Sequence, residues 1–196
     1  MNTRAFFKEF ISKPMLTGSI VPSSPALAKK LLENLKRDQV KLIVEVGPGT
    51  GAITHQLLDD PVLRSRYFGV DINPVFIEDL RQRYPGANFV VGSAEDLSEL
   101  MKKAGLGSAD FVVSGLPWSL IRPRRQERIF SNIFEVMSDI AEFATFTYVT
   151  TPLLERGRFF RKQITKQFPV VEARSVVWNN FPPAVVYRCR KVVKTE

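Results

Sequence analysis

The stretch Lys41-Leu-Ile-Val-Glu-Val-Gly-Pro-Gly-Thr-Gly-Ala-Ile-Thr54 decides how the rest of the chain is read. Its first half, KLIVEV (41–46), is a short apolar run of the kind that forms a buried strand. Its second half places Gly47, Gly49 and Gly51 at alternate positions directly behind that strand. AITHQLL then carries a helical pattern. A strand, a glycine turn and a helix in this order form the first unit of a nucleotide-type binding fold, where bare backbone must come close to a ligand.

The same alternation continues downstream. RYFGVDI (66–72) predicts a second strand ending on Asp71, and Asn73-Pro74 opens a helix that Pro85-Gly86 closes. NFVVG gives a third strand, LSELMKKA a helix and ADFVVSGL (109–116) a fourth strand. A helical stretch is expected over roughly 124–141, then FATFTYVT as a fifth strand. LLERGRFFRKQITKQF predicts a basic helix, followed by VVEARSVVW and AVVYRCRKV. These last two are joined by the short loop NNFPP and are therefore expected to be antiparallel. The pattern predicts an α/β architecture, a Rossmann-like seven-stranded and mostly parallel sheet with helices on both faces. Residues 1–40 are expected to form an N-terminal helical extension of amphipathic and lid helices, with a helix from Pro25 to Lys36, ahead of the α/β domain of residues 41–196.

At 196 residues the chain can build one well-cored domain. One cysteine, Cys189, and one histidine, His55, exclude an internal disulfide and a thiolate or histidine-rich metal cluster, and no metal is expected. No run reaches the length of a membrane span, and no secretory leader is evident, so a cytoplasmic setting is expected. The net charge of +8 is unevenly distributed. Residues 1–41 carry eight Lys/Arg against three acids, residues 42–151 ten against fourteen, and residues 152–196 ten against three. Two basic ends point to a polyanionic partner, either an anionic membrane or a nucleic acid. In TRAFFKEFISK, Phe6, Phe7, Phe10 and Ile11 fall within about 140° of a helical wheel, with Arg4 and Lys8 elsewhere around it. That is the composition of an interfacial membrane helix, and also of a helix that packs its Phe face onto the domain.

Read as G-x-G-x-x-A, the glycine loop also satisfies a loose dinucleotide fingerprint, with Asp71 near the ribose position. The fuller pattern of Glu45, Gly47, Gly49 and Gly51 resembles motif I of the class I S-adenosylmethionine-dependent methyltransferases. The resemblance implies S-adenosylmethionine as methyl donor and S-adenosylhomocysteine as product. It also implies cofactor contacts from Glu45, Gly47, Gly49, Thr50 and Gly51 in the loop, and from Asp71, Ile72 and Asn73 at the tip of the second strand. VGSAED (91–96) matches the adenine segment, with Ser93 where an aspartate is commoner. Ser93, Ala94 and Glu95 are expected there, the adenine amine meeting Ser93, Glu95 or Asp96. SGLPW (114–118) falls where motif IV lies beside the transferred methyl, placing Ser114 and Leu116 on the cofactor side.

The loop and the LPW segment are also similar to the ribosomal RNA adenine dimethylases, which carry an Asn at the position of Gly115 or Ser114. An RNA adenine N6-methyltransferase, with nucleic acid as partner, is therefore the alternative. FFKEFISKPMLTGSIVPSSPALAKKL, EVGPGTGAIT, SGLPW, FTYVTTPL and WNNFPPAVVYR together resemble the bacterial phospholipid N-methyltransferases. That resemblance implies a monomer, peripheral on the inner membrane surface, that methylates phosphatidylethanolamine towards phosphatidylcholine. It implies that Arg4, Phe6, Phe7, Lys8, Phe10 and Ile11 bind anionic lipid. Transfer from a sulfonium to an amine is an in-line displacement, so positioning supplies much of the rate. Tyr148, and secondly Trp118, are expected to face the amine. The lipid phosphate is expected to meet Arg122, Arg124, Arg125 or Arg188.

Overall fold

The structure, a computed structural model, describes residues 23–191. The expected membrane-binding residues Arg4, Phe6, Phe7, Lys8, Phe10 and Ile11 lie outside them. Seven strands form one sheet: β1 (Ile43–Val46), β2 (Tyr67–Asp71), β3 (Asn88–Val91), β4 (Ala109–Ser114), β5 (Met137–Tyr148), β6 (Val170–Val177) and β7 (Ala184–Arg190). Their order is β3-β2-β1-β4-β5-β7-β6. The first five pair in parallel, whereas β7 runs antiparallel to both β5 and β6. The expected Rossmann-like sheet is borne out, including the terminal antiparallel pair.

Strand alternation sorts side chains between two cores. Val44, Val46, Phe68, Val70, Val112 and Phe143 face one side. There they meet α5 (Leu97–Lys103), α6 (Pro123–Val136) and α7 (Glu155–Gln167), through residues such as Met101, Phe130 and Phe160. Ile43, Tyr67, Phe111 and Val113 face the other side. They pack on α1 (Pro25–Leu31), α2 (Ala52–Leu58), the single turn α3 (Pro61–Arg64) and α4 (Pro74–Arg83). Proline at the first helical position starts α1, α3, α4 and α6, where its missing N–H costs nothing. Asn73 caps α4 by accepting from the Val75 N–H.

Three expected boundaries differ. The helix predicted over 124–141 ends at Val136, because Met137 turns extended (φ −75°, ψ 140°) and pairs with Ala109. An irregularity follows before Phe111 pairs with Glu142, and it leaves Ile140 92% exposed. The apolar spacing there serves a bulged strand start, which periodicity alone does not separate from a helix. Helix α1 stops at Leu31 rather than Lys36. The helical turn Pro61–Arg64 was not expected.

Candidate active site

Between β1 and β4 the strand order reverses direction, and a cleft of about 190 Å³ opens at the carboxyl ends of the strands. Ligands of open α/β sheets bind at such a switch point. On one side the cleft is walled by Gly47, Pro48, Gly49 and Thr50 of the loop after β1, by Asp71, Ile72 and Phe76 after β2, and by Ser93 and Ala94 after β3. On the other side stand Gly115 to Ser119 and Ile121 after β4, then Phe146, Thr147, Tyr148 and Thr151 from β5 and its following turn.

The glycine loop needs its glycines. Gly47 and Gly49 sit at φ +75° and +55°, in the left-handed region that side chains avoid. A Cβ on Gly49 would meet nothing within 4 Å, so bare backbone faces open space there. The Gly49 N–H donates to Asp71 Oδ2 at 2.9 Å and the Asn73 N–H to Oδ1 at 2.8 Å. These bonds hold the carboxylate at the cleft while leaving lone pairs for hydroxyl donors. Burial raises the Asp71 pKa against the pull of these amides.

Glu45 is placed differently from expectation. It stands behind the loop under α2, fully buried, with Oε2 accepting from Thr54 (2.9 Å) and Tyr67 (2.7 Å). Its Oε1 is buried without a hydrogen-bond partner. Burial, more than the Asp71 charge, pushes its carboxyl up to about 7, against the two hydroxyl donors.

Several other expected contacts are structural supports outside the cleft wall. Gly51 starts α2 at φ +91°, Asn73 caps α4, and the buried Ser114 hydroxyl accepts from the Leu116 N–H. Glu95 is held by Arg125 and Arg128, and its carbonyl by Asn132. Of the residues expected at the adenine, Ser93 and Ala94 are therefore the ones that face the cleft, with the Ser93 hydroxyl accepting from the Glu95 N–H.

On the acceptor side Tyr148 lines the cleft as expected, its hydroxyl pKa raised by burial. Trp118 is a wall and a core residue at once. It is 1% exposed, its ring stacks on Phe130 at 4.5 Å, and its indole N–H donates to Thr145. Among the candidate arginines only Arg125 reaches the cleft, already paired with Glu95, while Arg122 and Arg124 are exposed nearby. Arg188 is a correction: it is 1% exposed on β7, pairs with Glu142 and donates to the Lys30 carbonyl, so no lipid phosphate reaches it.

Sequence reasoning missed three supports. Gln126, fully buried, donates to the carbonyls of Trp118, Ile121 and Arg156 and thereby ties the acceptor loop to α7. Gly157 lets α7 lie against the Thr151 turn, where a Cβ would collide with the Thr151 carbonyl. Gly115 packs so closely that its Cβ would stand 2.8 Å from the Gly47 carbonyl oxygen. The lone glycine in ERGRFF was a visible signal of a close approach; the other two had none.

The cleft suits S-adenosylmethionine. Among the described residues its wall holds one carboxylate, Asp71, and one cation, Arg125, paired with Glu95, a set that does not clamp a pyrophosphate. Bare backbone at Gly49, the Asp71 carboxylate, and apolar Ile72 and Phe76 match a neutral ribose and a flat base. Among the described residues no cluster of His, Cys, Asp or Glu is placed to hold a metal ion.

Residues 43–139 match the family model of a methyltransferase domain. The chain is 33% identical over 190 residues to an ornithine lipid N-methyltransferase of Singulisphaera acidiphila, covering 95% of each. It is 30% identical over 100 residues to the ribosomal RNA small subunit methyltransferase A of Prochlorococcus marinus, half of this chain and 35% of that one. The structure superposes on the N-methyltransferase NodS from Bradyrhizobium japonicum with a TM-score of 0.62 at 16% identity, over 85% of this chain and 94% of that one. By its cleft, its fold and its end-to-end match to a lipid-modifying enzyme, the chain belongs to the bacterial lipid N-methyltransferases of the class I S-adenosylmethionine-dependent type.

Proposed function

We propose that the acceptor is the terminal amine of a zwitterionic aminolipid, presented at an anionic membrane surface. Two headgroups share that chemistry: phosphatidylethanolamine with its partly methylated forms, which the sequence resemblance implies, and the ornithine lipid for which the full-length relative is named. In either, an alkyl amine lies a few bonds from an anionic group. The observation that carries the reading is Gly115. The dimethylase Asn falls at Gly115 or Ser114: a Cβ at Gly115 would stand 2.8 Å from the Gly47 carbonyl oxygen, and the buried Ser114 hydroxyl accepts from the Leu116 N–H, so neither offers a side-chain amide to an adenine amine. The acceptor wall of Pro117, Ile121, Phe146 and Tyr148 suits an alkyl ammonium and its methylated forms instead.

Bound S-adenosylmethionine supplies an electrophilic methyl group. The chain's own residues position the amine and exclude water. Asp71 lies on β2 and Tyr148 on β5, three strand positions apart, or roughly 14 Å at ~4.8 Å per strand. The cleft's carboxylate is thus too far away to take the amine proton. The Tyr148 phenol, its pKa raised by burial, stays protonated at neutral pH and acts as a hydrogen-bond partner. The apolar walls favour the neutral amine by desolvation, and the proton leaves to water.

The test is thin-layer separation of lipids after incubation with radiolabelled S-adenosylmethionine and mixed liposomes. One arm contains phosphatidylethanolamine and the other ornithine lipid, each with phosphatidylglycerol. Label in either lipid is expected and identifies the headgroup. Label in neither, or in added ribosomal RNA instead, would overturn the reading.

A further inference from the structure

The rim of the acceptor end exposes bulky apolar side chains together. Leu153, Leu154, Trp178 and Phe181 are 78, 49, 73 and 80% exposed. Register places them on one edge: Tyr148 pairs with Ala184, and Ala184 with Val177, so residues 149–154 and 178–183 leave the sheet side by side. The Val149 N–H donates to the Pro183 carbonyl at 2.9 Å and binds the two loops together. Scattered exposed apolar residues are ordinary on a soluble protein, but four of this size at the mouth of a cleft form a contact surface.

Charge says what the surface meets. Segments 115–125, 149–158 and 178–183 contain five arginines and one acid, Glu155. Arg156 and Arg158 each donate to a neighbouring carbonyl, of Leu120 and Leu153, which fixes the side chains without neutralising them. Exposed Arg122 and Arg124 stand beside them. Towards the cofactor end, the exposed acids Asp79, Asp96 and Glu99 pair with Arg83, Arg128 and Lys103, so charges of both signs mix there. Among the described residues, the acceptor rim is the part where exposed arginines gather beside exposed bulky apolar side chains.

The described structure begins on this rim: Ser23 lines the cleft, and the Ser24 N–H donates to Asn180 Oδ1 at 2.9 Å.

We infer that the β5–α7 and β6–β7 loops form a membrane-docking face that seats the acceptor end of the cleft on an anionic bilayer. Leu153, Leu154, Trp178 and Phe181 enter the headgroup boundary, and Arg122, Arg124, Arg156 and Arg158 meet lipid phosphates around them. The inference rests on the lipid-acceptor reading and adds to it the surface through which the lipid arrives.

The two tryptophans make a direct test with the full-length protein, since Trp118 is buried and Trp178 exposed. Vesicles of phosphatidylglycerol and phosphatidylethanolamine with brominated acyl chains are expected to shift Trp178 emission to shorter wavelength and quench it. Trp178→Phe removes that response and leaves the Trp118 emission unchanged. The Leu153→Ser/Phe181→Ser pair is expected to lower vesicle partitioning about ten-fold or more, the scale of two apolar side chains no longer buried. Its methylation of lipid dispersed in detergent micelles stays at the wild-type level. Unquenched Trp178 in vesicle-bound protein, wild-type partitioning of the pair, or the same spectral shift with RNA in place of vesicles would overturn the docking face. Quenching without lipid methylation would overturn the acceptor reading and leave the face standing; methylation in micelles without quenching would do the reverse.

Discussion

Glu45 gives the sharpest test of the cleft's electrostatics. Its carboxyl is raised from an ordinary 4.5 to about 7, burial being the largest cause. The folded protein therefore holds a proton that the unfolded chain releases between those values. For an acid whose folded pKa is raised, the sign is clear: stability is fully present below pH 4.5 and falls as pH rises towards 7. At 1.36 kcal/mol per pH unit the total is about 3 kcal/mol. Between pH 5 and pH 8 the part available to experiment is roughly 2–3 kcal/mol. Glu45→Gln keeps an acceptor for Tyr67 and Thr54 and cannot ionise, though its amide N–H group takes the place of the orphaned Oε1 at a constant cost of about 1–3 kcal/mol. Urea denaturation at pH 5, 6, 7 and 8 is then expected to show the wild type losing stability relative to the variant by that amount. Asp71, also raised, titrates in both proteins, and its coupling to Glu45 is a minor part of the difference beside burial. Curves that stay parallel within about 0.5 kcal/mol would refute the reasoning, because Glu45 would then be ionised in the fold at its ordinary pKa.

Gly115→Ala places a methyl against the Gly47 carbonyl and is expected to cost about 1–3 kcal/mol in cofactor affinity, read by calorimetry with S-adenosylhomocysteine; unchanged affinity would contradict the close packing. Tyr148→Phe is expected to lower kcat by about ten-fold or more with little change in thermal stability, as for a lost hydrogen bond to the reacting amine. The pH–rate profile of wild type and Tyr148→Phe alike is expected to rise with pH above 7 with unit slope, since the acceptor must lose its own proton; a plateau beginning below pH 7 would point to a protein base instead. Gly157→Ala drives α7 away from the Thr151 turn and is expected to raise KM for lipid more than KM for the methyl donor, measured by varying each substrate separately.

Most of the cofactor half was legible in the sequence because its signals are local. Gly47 and Gly49 stand at positive φ, a requirement that three glycines in five residues announce. Asp71 lies at the strand tip because a strand pattern ends there and Asn73-Pro74 starts the next helix. The unread parts depend on contacts across the chain. That Glu45 would be paired with Tyr67 and Thr54 behind the loop follows from strand alternation combined with the placement of α2. Arg188 looked like a free cation until β7 set it beside Glu142, 46 residues away in sequence. The start of β5 was hidden because SDIAEF carries helical spacing while Met137 and Glu142 satisfy β4 around an irregularity.

The two halves of the cleft explain why a glycine loop shared with RNA methyltransferases serves a lipid enzyme. The loop after β1 and the loop after β4 touch at Gly47 and Gly115, so a side chain cannot be added to either without moving both. In this chain the acceptor loop is fixed from behind: Trp118 donates to Thr145, Thr145 donates to the Ser114 carbonyl, and Gln126 gathers the carbonyls of Trp118 and Ile121. Each of these polar groups is turned inward, away from the cleft. The acceptor side keeps the apolar Pro117, Ile121 and Phe146 beside the Tyr148 hydroxyl, and under the aminolipid reading shape and desolvation are expected to carry much of the selectivity. A hydrogen-bonding site would reject substrates lacking its partner strongly, whereas an apolar one discriminates an added methyl only weakly, by about 1–3 kcal/mol. Under the aminolipid reading, a pocket of this kind is expected to tolerate a headgroup amine as it gains methyls.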